Sequence, residues 1–210
     1  TGVQTCALPI WQFVPDPAEL EVAVGELADP IGDAAHSPVE GIVHRYPDRV
    51  LLTPVHLCPV YCRFCFRRER VGPGATALLS EAALTTALGY IAAHPEIWEV
   101  ILSGGDPLIL SPRRLRAILG ALEAIGHVKV VRFHTRVPAT APERVTPALA
   151  RALRVAGKAS YVVLHANHPR ELSDPTPLLW IRTVEFFKDY RGKRVVFGHT
   201  TTDTLPQELS

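Results

Sequence analysis

The chain has 210 residues, 47% apolar and 20% charged, with 22 Lys and Arg against 21 Asp and Glu and a net charge of +1. That composition supports one sizeable core, and its charge balance gives no electrostatic case for nucleic acid or an anionic membrane as partner. No run approaches the ~20 apolar residues that span a bilayer, no secretory signal is evident, and the cysteines suit a reducing compartment, so a cytoplasmic location is expected.

In chain order, residues 1–10 read as the translation of a sequencing-library adapter, an assembly artefact in which Cys6 has no role. The absence of methionine throughout predicts an internal fragment. Residues 11–49 form an N-terminal extension rich in proline and acidic side chains, with one short helix expected over 17–27. Asp29-Pro-Ile-Gly-Asp33 and His36-Ser-Pro38 are turn chemistry. The apolar run 50–55, short, β-rich and bounded by prolines, predicts a buried first strand.

At the end of that strand comes His56-Leu-Cys58-Pro-Val-Tyr-Cys62-Arg-Phe-Cys65-Phe-Arg-Arg68. Soft thiolates on one loop select zinc or an iron–sulfur cluster, and three of them on a four-iron cube leave one iron open to another ligand. The Cys-x3-Cys-x2-Cys spacing resembles that of radical S-adenosylmethionine enzymes, where S-adenosylmethionine chelates the open iron. Zinc would need a fourth ligand, for which His56 is the near candidate, and a disulfide framework suits an odd, close-set trio poorly. Arg63, Arg67, Arg68 and Arg70 read as charge compensation for a negative cluster or as anion binders, or else as a solvated face.

Beyond the loop, strands and helices alternate. Ser80 caps a helix reaching His94, with Leu84, Leu88 and Ile91 on one face, and a strand over 98–102 ends in Ser103-Gly104-Gly105-Asp106. Ser111-Pro112 opens a helix to about Ile125, a third strand covers 128–134, Thr146 or Pro147 opens a helix to about Ala156, and a fourth strand covers 160–164. The alternation predicts α/β architecture with a parallel sheet, a partial (βα) barrel of about four βα units over 50–172. Gly104 and Gly105 predict either a tight turn or close backbone approach to a ligand, with amides able to bind a carboxylate or orient an amino group; Asp106 predicts a cap. His165 and His168 sit at a strand end, as hydrogen-bonded histidines or as ligand contacts.

Collinear phrases over 25–172 resemble one family, lysine 2,3-aminomutase and the enzymes that form β-lysine for elongation factor P. They are Asp29-Pro-Ile-Gly-Asp, His36-Ser-Pro, His44-Arg-Tyr-Pro-Asp-Arg-Val, the cysteine stretch, Ser103-Gly-Gly-Asp-Pro-Leu, Arg136-Val-Pro and His165-Ala-Asn-His-Pro. The resemblance implies a [4Fe–4S] cluster on Cys58, Cys62 and Cys65, and S-adenosylmethionine near Ser103, Gly104, Gly105, Asp106 and His165. It further implies pyridoxal 5′-phosphate near Arg45, Tyr46 and Arg49, with Arg67 meeting the substrate α-carboxylate. The implied reaction moves the 2-amino group of lysine to C3 by a radical route, supplied by a reducing electron donor, in a homo-oligomer. Phe66, after the third cysteine, also resembles the elongation-factor branch, so lysine is expected either free or for elongation factor P. Past Leu172 the likeness stops, and with it the lysine that would hold pyridoxal phosphate, so incomplete turnover is expected. Residues 173–210 instead resemble the end of a calcineurin-type metallophosphatase, with His199 as metal ligand, in a chimeric join. A non-catalytic iron–sulfur or zinc module is the alternative reading of the whole.

Overall fold

The computed structural model describes residues 12–14, 16–21, 24–72 and 76–166. The decapeptide, His168, and the tail with His199 lie outside the described residues. Five strands form one sheet in the order β1-β2-β3-β4-β5. They are β1 Ile42–Tyr46, β2 Arg49–Val55, β3 Glu99–Gly104, β4 Val130–Thr135 and β5 Ala159–Leu164. β2 to β5 run parallel, each paired with its successor, and α1 Glu81–Ala93, α2 Pro112–Ala124 and α4 Pro147–Ala152 lie in the three connections. Sequential parallel strands with helical crossovers are the pattern of a (βα) barrel wall, as the alternation predicted.

Each crossover helix starts where a hydroxyl satisfies an orphan amide. Ser80, Ser111 and Thr146 accept from the backbone N–H of Ala83, Arg114 and Leu149, and proline follows the cap in α2 and α4. Val50, Leu52, Val100, Leu102, Val131 and Phe133 project to one face and pack with Leu84, Ile91, Leu115, Ile118 and Leu122 of the helices. Burial of each such side chain contributes about 1.5–3 kcal/mol. The strand alternation turns the remaining side chains to the other face. That face carries Arg49, Leu51 and Thr53, then Glu99, Ile101 and Ser103, then Arg132 and His134, with Tyr161 and Val163 on β5. No helix among the described residues is long and apolar enough to cross a membrane.

Two expectations for the extension are corrected. The helix expected over 17–27 is, among the described residues, a 3₁₀ turn, Pro17–Leu20, capped by Asp16 and Glu19; Glu21 already leaves it at φ −84°, ψ 113°. And the run 50–55 is the second strand, not the first, because 42–46 already forms one. It belongs to a hairpin in which β1 pairs antiparallel with β2, Ile42 opposite Leu52 and Tyr46 opposite Arg49. The Asp48 carbonyl accepts from Trp98 and Glu99 N–H, and its carboxylate takes Arg49 Nε at 2.9 Å and Trp98 Nε1 at 3.1 Å. On the helix side, His44 Nδ1 meets the Tyr90 hydroxyl at 2.8 Å, tying β1 to α1.

The join between β2 and β3 is tightest at its C-terminal end. The register shifts between Leu52 and Val55, so that Val55 pairs with Gly104, whose φ is +94°. A Cβ on Gly105 would lie 2.3 Å from the Leu57 carbonyl oxygen and 2.6 Å from its nitrogen. Only glycine lets the chain after β2 lie against β3 here. Gly105→Ala is therefore expected to cost at least ~2 kcal/mol, since backbone rather than a mobile side chain must yield. Gly120→Ala, in α2 with open space around the new methyl, is expected to gain about 0.4–1 kcal/mol. Paired denaturation curves of the two variants check both signs.

Candidate metal centre

The C-terminal ends of β2 to β5 bring the predicted site stretches together, the position where parallel α/β folds build their sites. The cysteine loop leaves β2 at His56 and closes on itself. Gly72 N–H donates to the His56 carbonyl at 3.2 Å, and His56 Nδ1 meets the Arg70 carbonyl at 3.1 Å. Inside it, Cys65 N–H donates to Cys62 O, Arg68 N–H to Cys65 O, and Val71 N–H to Arg67 O, so consecutive tight turns carry the thiols. Two further bonds hang this loop on β3: Gly105 N–H donates to Val55 O at 2.8 Å and Asp106 N–H to Leu57 O at 2.9 Å. The Gly105 amide, one of the two expected to be open to a ligand, thus holds the loop instead.

Cys58, Cys62 and Cys65 are unbridged and half-buried. Burial, reinforced by the Asp106 carboxylate and the two other thiols, pushes Cys58 up to about 12. Among the described residues no three Cys, His, Asp or Glu side chains, these three thiols and His56 included, converge on a single ion. Three soft donors on one loop suit zinc or an iron–sulfur cluster by their chemistry. Cys65 also lines an open cleft of about 380 Å³ with Arg63, Phe64, Phe66 and Arg68.

Three of the four loop arginines pair with carboxylates. Arg63 pairs with Glu19, Arg67 Nε with Asp33 at 2.7 Å, and Arg68 with Glu26 and Glu69. A different arginine reaches a thiol. Arg136 Nη1 donates to Cys62 Sγ at 2.7 Å, Nη2 donates to the Gln12 amide oxygen at 3.2 Å, and the guanidinium lies 5.2 Å from the Phe13 ring centre. Arg136 stood in the sequence only as part of a family phrase. Nothing local signals its contact with a cysteine 74 positions away.

Asp106 explains why Arg136 is there. Its Oδ1 accepts from Leu108 N–H at 3.0 Å and the Thr135 hydroxyl at 2.7 Å. Its Oδ2 accepts from Arg136 N–H at 2.7 Å and Val137 N–H at 3.1 Å. The expected cap is present, and the same carboxylate pins the end of β4 to the end of β3, starting the short helix α3, Val137–Thr140. Burial pushes the Asp106 carboxyl up, against the four donors that hold it down.

On the inner face Ser103 and His134 stand at the upper end, and His165 follows β5, its N–H donating to Thr135 O at 2.8 Å. The buried His134 Nε2 has no hydrogen-bond partner. At the lower end Glu99, 1% exposed, takes Arg132 and lies 3.7 Å from Arg49. Arg49 also faces the Tyr46 ring at 5.7 Å, while Arg45 reaches Asp33 at 3.6 Å and the Ile31 carbonyl. So Arg45 and Arg67 share Asp33, whereas Tyr46 and Arg49 lie roughly 13 Å below Ser103, four residues along a strand.

Burial, with Arg132, Arg67 and His165 nearby, pulls His134 down to about 4 from its ordinary 6.5. Below pH 6.5 the unfolded chain binds a proton that the folded chain refuses until about 4, so stability falls as pH is lowered through that window. The expected loss is ~1–3 kcal/mol, removed in His134→Gln, and urea denaturation at pH 7 and pH 4.5 measures the difference.

Comparison with known proteins completes the assignment. The profile of the Radical SAM superfamily matches residues 52–207, running into the stretch where the sequence predicted a foreign tail, and the calcineurin-like tail finds no support. The chain is 38% identical over 162 residues to the L-lysine 2,3-aminomutase of Fusobacterium nucleatum, covering 77% of this chain and 38% of that protein. It is 39% identical over 163 residues to that of Clostridium subterminale, covering 78% and 39%. To that of Escherichia coli K12 it is 40% identical over 156 residues, covering 74% and 45%. The chain thus spans about two fifths of the length of these relatives. With a three-cysteine loop seated on the C-terminal edge of a parallel sheet, this chain belongs to the Radical SAM superfamily.

Proposed function

We propose that the chain carries the cluster-binding and S-adenosylmethionine-binding part of an amino-acid 2,3-aminomutase. The observation that carries this reading is the cysteine loop itself, fixed on the β3 end by Gly105 and Asp106 with a cation at Cys62. Cys58, Cys62 and Cys65 would hold a [4Fe–4S] cluster, and three unbridged, half-buried thiols on one loop are the donor chemistry it needs. When bound, the cluster and S-adenosylmethionine supply a carbon radical able to take hydrogen from an unactivated position. The protein's part is to place and shield. Ser103 and His165 stand at the ends of β3 and β5, where they would flank S-adenosylmethionine, and Gly104 and Gly105 let the chain after β2 close on the β3 end.

Arg67 suits a substrate carboxylate. Asp33 holds its Nε, the Phe66 ring lies 4.8 Å from the guanidinium, and its Nη pair has no partner among the described residues, leaving a preorganised fork. Lysine, free or destined for elongation factor P, is the substrate the relatives suggest. For pyridoxal phosphate the support is the family resemblance alone. Arg45 and Arg49 already face carboxylates, and the described lysines, Lys129 and Lys158, donate to main-chain carbonyls away from the cysteines. No chemistry of the described residues depends on it.

Anaerobic reconstitution followed by electron paramagnetic resonance tests the reading. The dithionite-reduced protein is expected to show a cluster signal that changes shape on adding S-adenosylmethionine, with slow release of 5′-deoxyadenosine. Cys62→Ser is expected to lose both. A cluster signal indifferent to S-adenosylmethionine would instead mark a non-catalytic iron–sulfur module.

A further inference from the structure

We infer that Arg136 is a positioning residue for the metal centre, which orients Cys62 and raises the reduction potential of a cluster bound there. The inference rests on the cluster reading above and adds to it a residue outside the cysteine loop. Three contacts fix the guanidinium from different sides. Nη1 lies 2.7 Å from Cys62 Sγ, Nη2 3.2 Å from the Gln12 amide oxygen, and the Phe13 ring centre is 5.2 Å away. Its own backbone N–H is held by Asp106 Oδ2 at 2.7 Å, and the residue is 8% exposed. A side chain so bound has little freedom to swing away when iron loads the sulfur.

The sign of the effect follows from charge. Adding one electron to a thiolate-ligated cluster makes it more negative, and a donor and positive charge on one sulfur favour that state. The effect is strengthened because the three thiols are half-buried and Arg136 is buried beside them. The loop arginines are poorly placed to substitute for it, since Arg63, Arg67 and Arg68 are drawn off by Glu19, Asp33 and Glu26. Gln12, by contrast, is neutral, and its backbone carbonyl also accepts Arg63 N–H at 2.9 Å, so the same segment braces both loop and arginine.

The test is a redox titration of the reconstituted full chain, followed by the reduced-cluster resonance. Each cluster takes one electron from dithionite, which is oxidised to sulfite. Arg136→Met is expected to keep the wild-type iron content while its midpoint moves negative. A tenfold lower reduced-to-oxidised ratio at a fixed potential, ~59 mV for a one-electron couple, is the scale expected. Arg136→Lys, which keeps a charge but not the fork, is expected to fall between. An iron-loaded Arg136→Met with the wild-type midpoint overturns the inference and leaves the cluster reading intact. If the Met variant does not load, the Lys variant decides on the same criterion. Loss of iron from both would make Arg136 a builder of the site rather than a tuner, and overturns it too. Failure of the wild-type chain to bind iron contradicts the cluster reading itself.

Discussion

A metal-binding loop at the open edge of a sheet has to be held in place by something other than the metal. Here that hold is a backbone-to-backbone contact: Leu57 lies where a side chain on Gly105 would have to be. Two hydrogen bonds, from Gly105 to Val55 and from Asp106 to Leu57, close the same contact. From Asp106 the constraint spreads outward, since its carboxylate gathers Leu108, Thr135, Arg136 and Val137 and so fixes the β4 end to the β3 end. Arg136 then reaches back to Cys62 and closes the circuit. These contacts seat the half-buried thiols of the loop on the β3 end.

The two faces of the sheet do different work. One is a dry aliphatic layer against helices, where Leu52, Leu102 and Phe133 are fully covered. The other carries Arg49, Glu99, Arg132, Ser103 and His134, polar groups that a simple two-layer fold would not bury. Glu99 between Arg49 and Arg132 offsets its own desolvation through those partners, and leaving it unpartnered would be strongly destabilising. Such a face costs stability, and its value lies in what it presents to bound molecules.

What the sequence made legible was the local part. Ser80, Ser111-Pro112 and Thr146-Pro147 mark their helices because caps act within one turn, and the apolar runs mark four parallel strands because burial on the helix face is periodic. β1 escaped because His44, Arg45 and Tyr46 break the apolar alternation and its register shifts between Val43 and Tyr46. α3 escaped because four residues beginning with Val137-Pro138 carry no periodic signal. In the site, the cysteines declared themselves by spacing. The role of Gly105 did not: a glycine excluding a Cβ from backbone and one excluding it from a ligand look alike in a sequence. Arg136 and Gln12, which meet each other across 124 positions, have no local signature at all.

The central claim is that three cysteines bind a four-iron cluster with one iron left open at the edge of this sheet. Mössbauer spectroscopy of the chain reconstituted with iron-57 and sulfide tests it most directly. The account predicts a [4Fe–4S] spectrum in which one iron site alone changes its isomer shift when S-adenosylmethionine is added. A spectrum with all irons alike and unchanged by S-adenosylmethionine, or protein that keeps no iron while remaining folded, would contradict it.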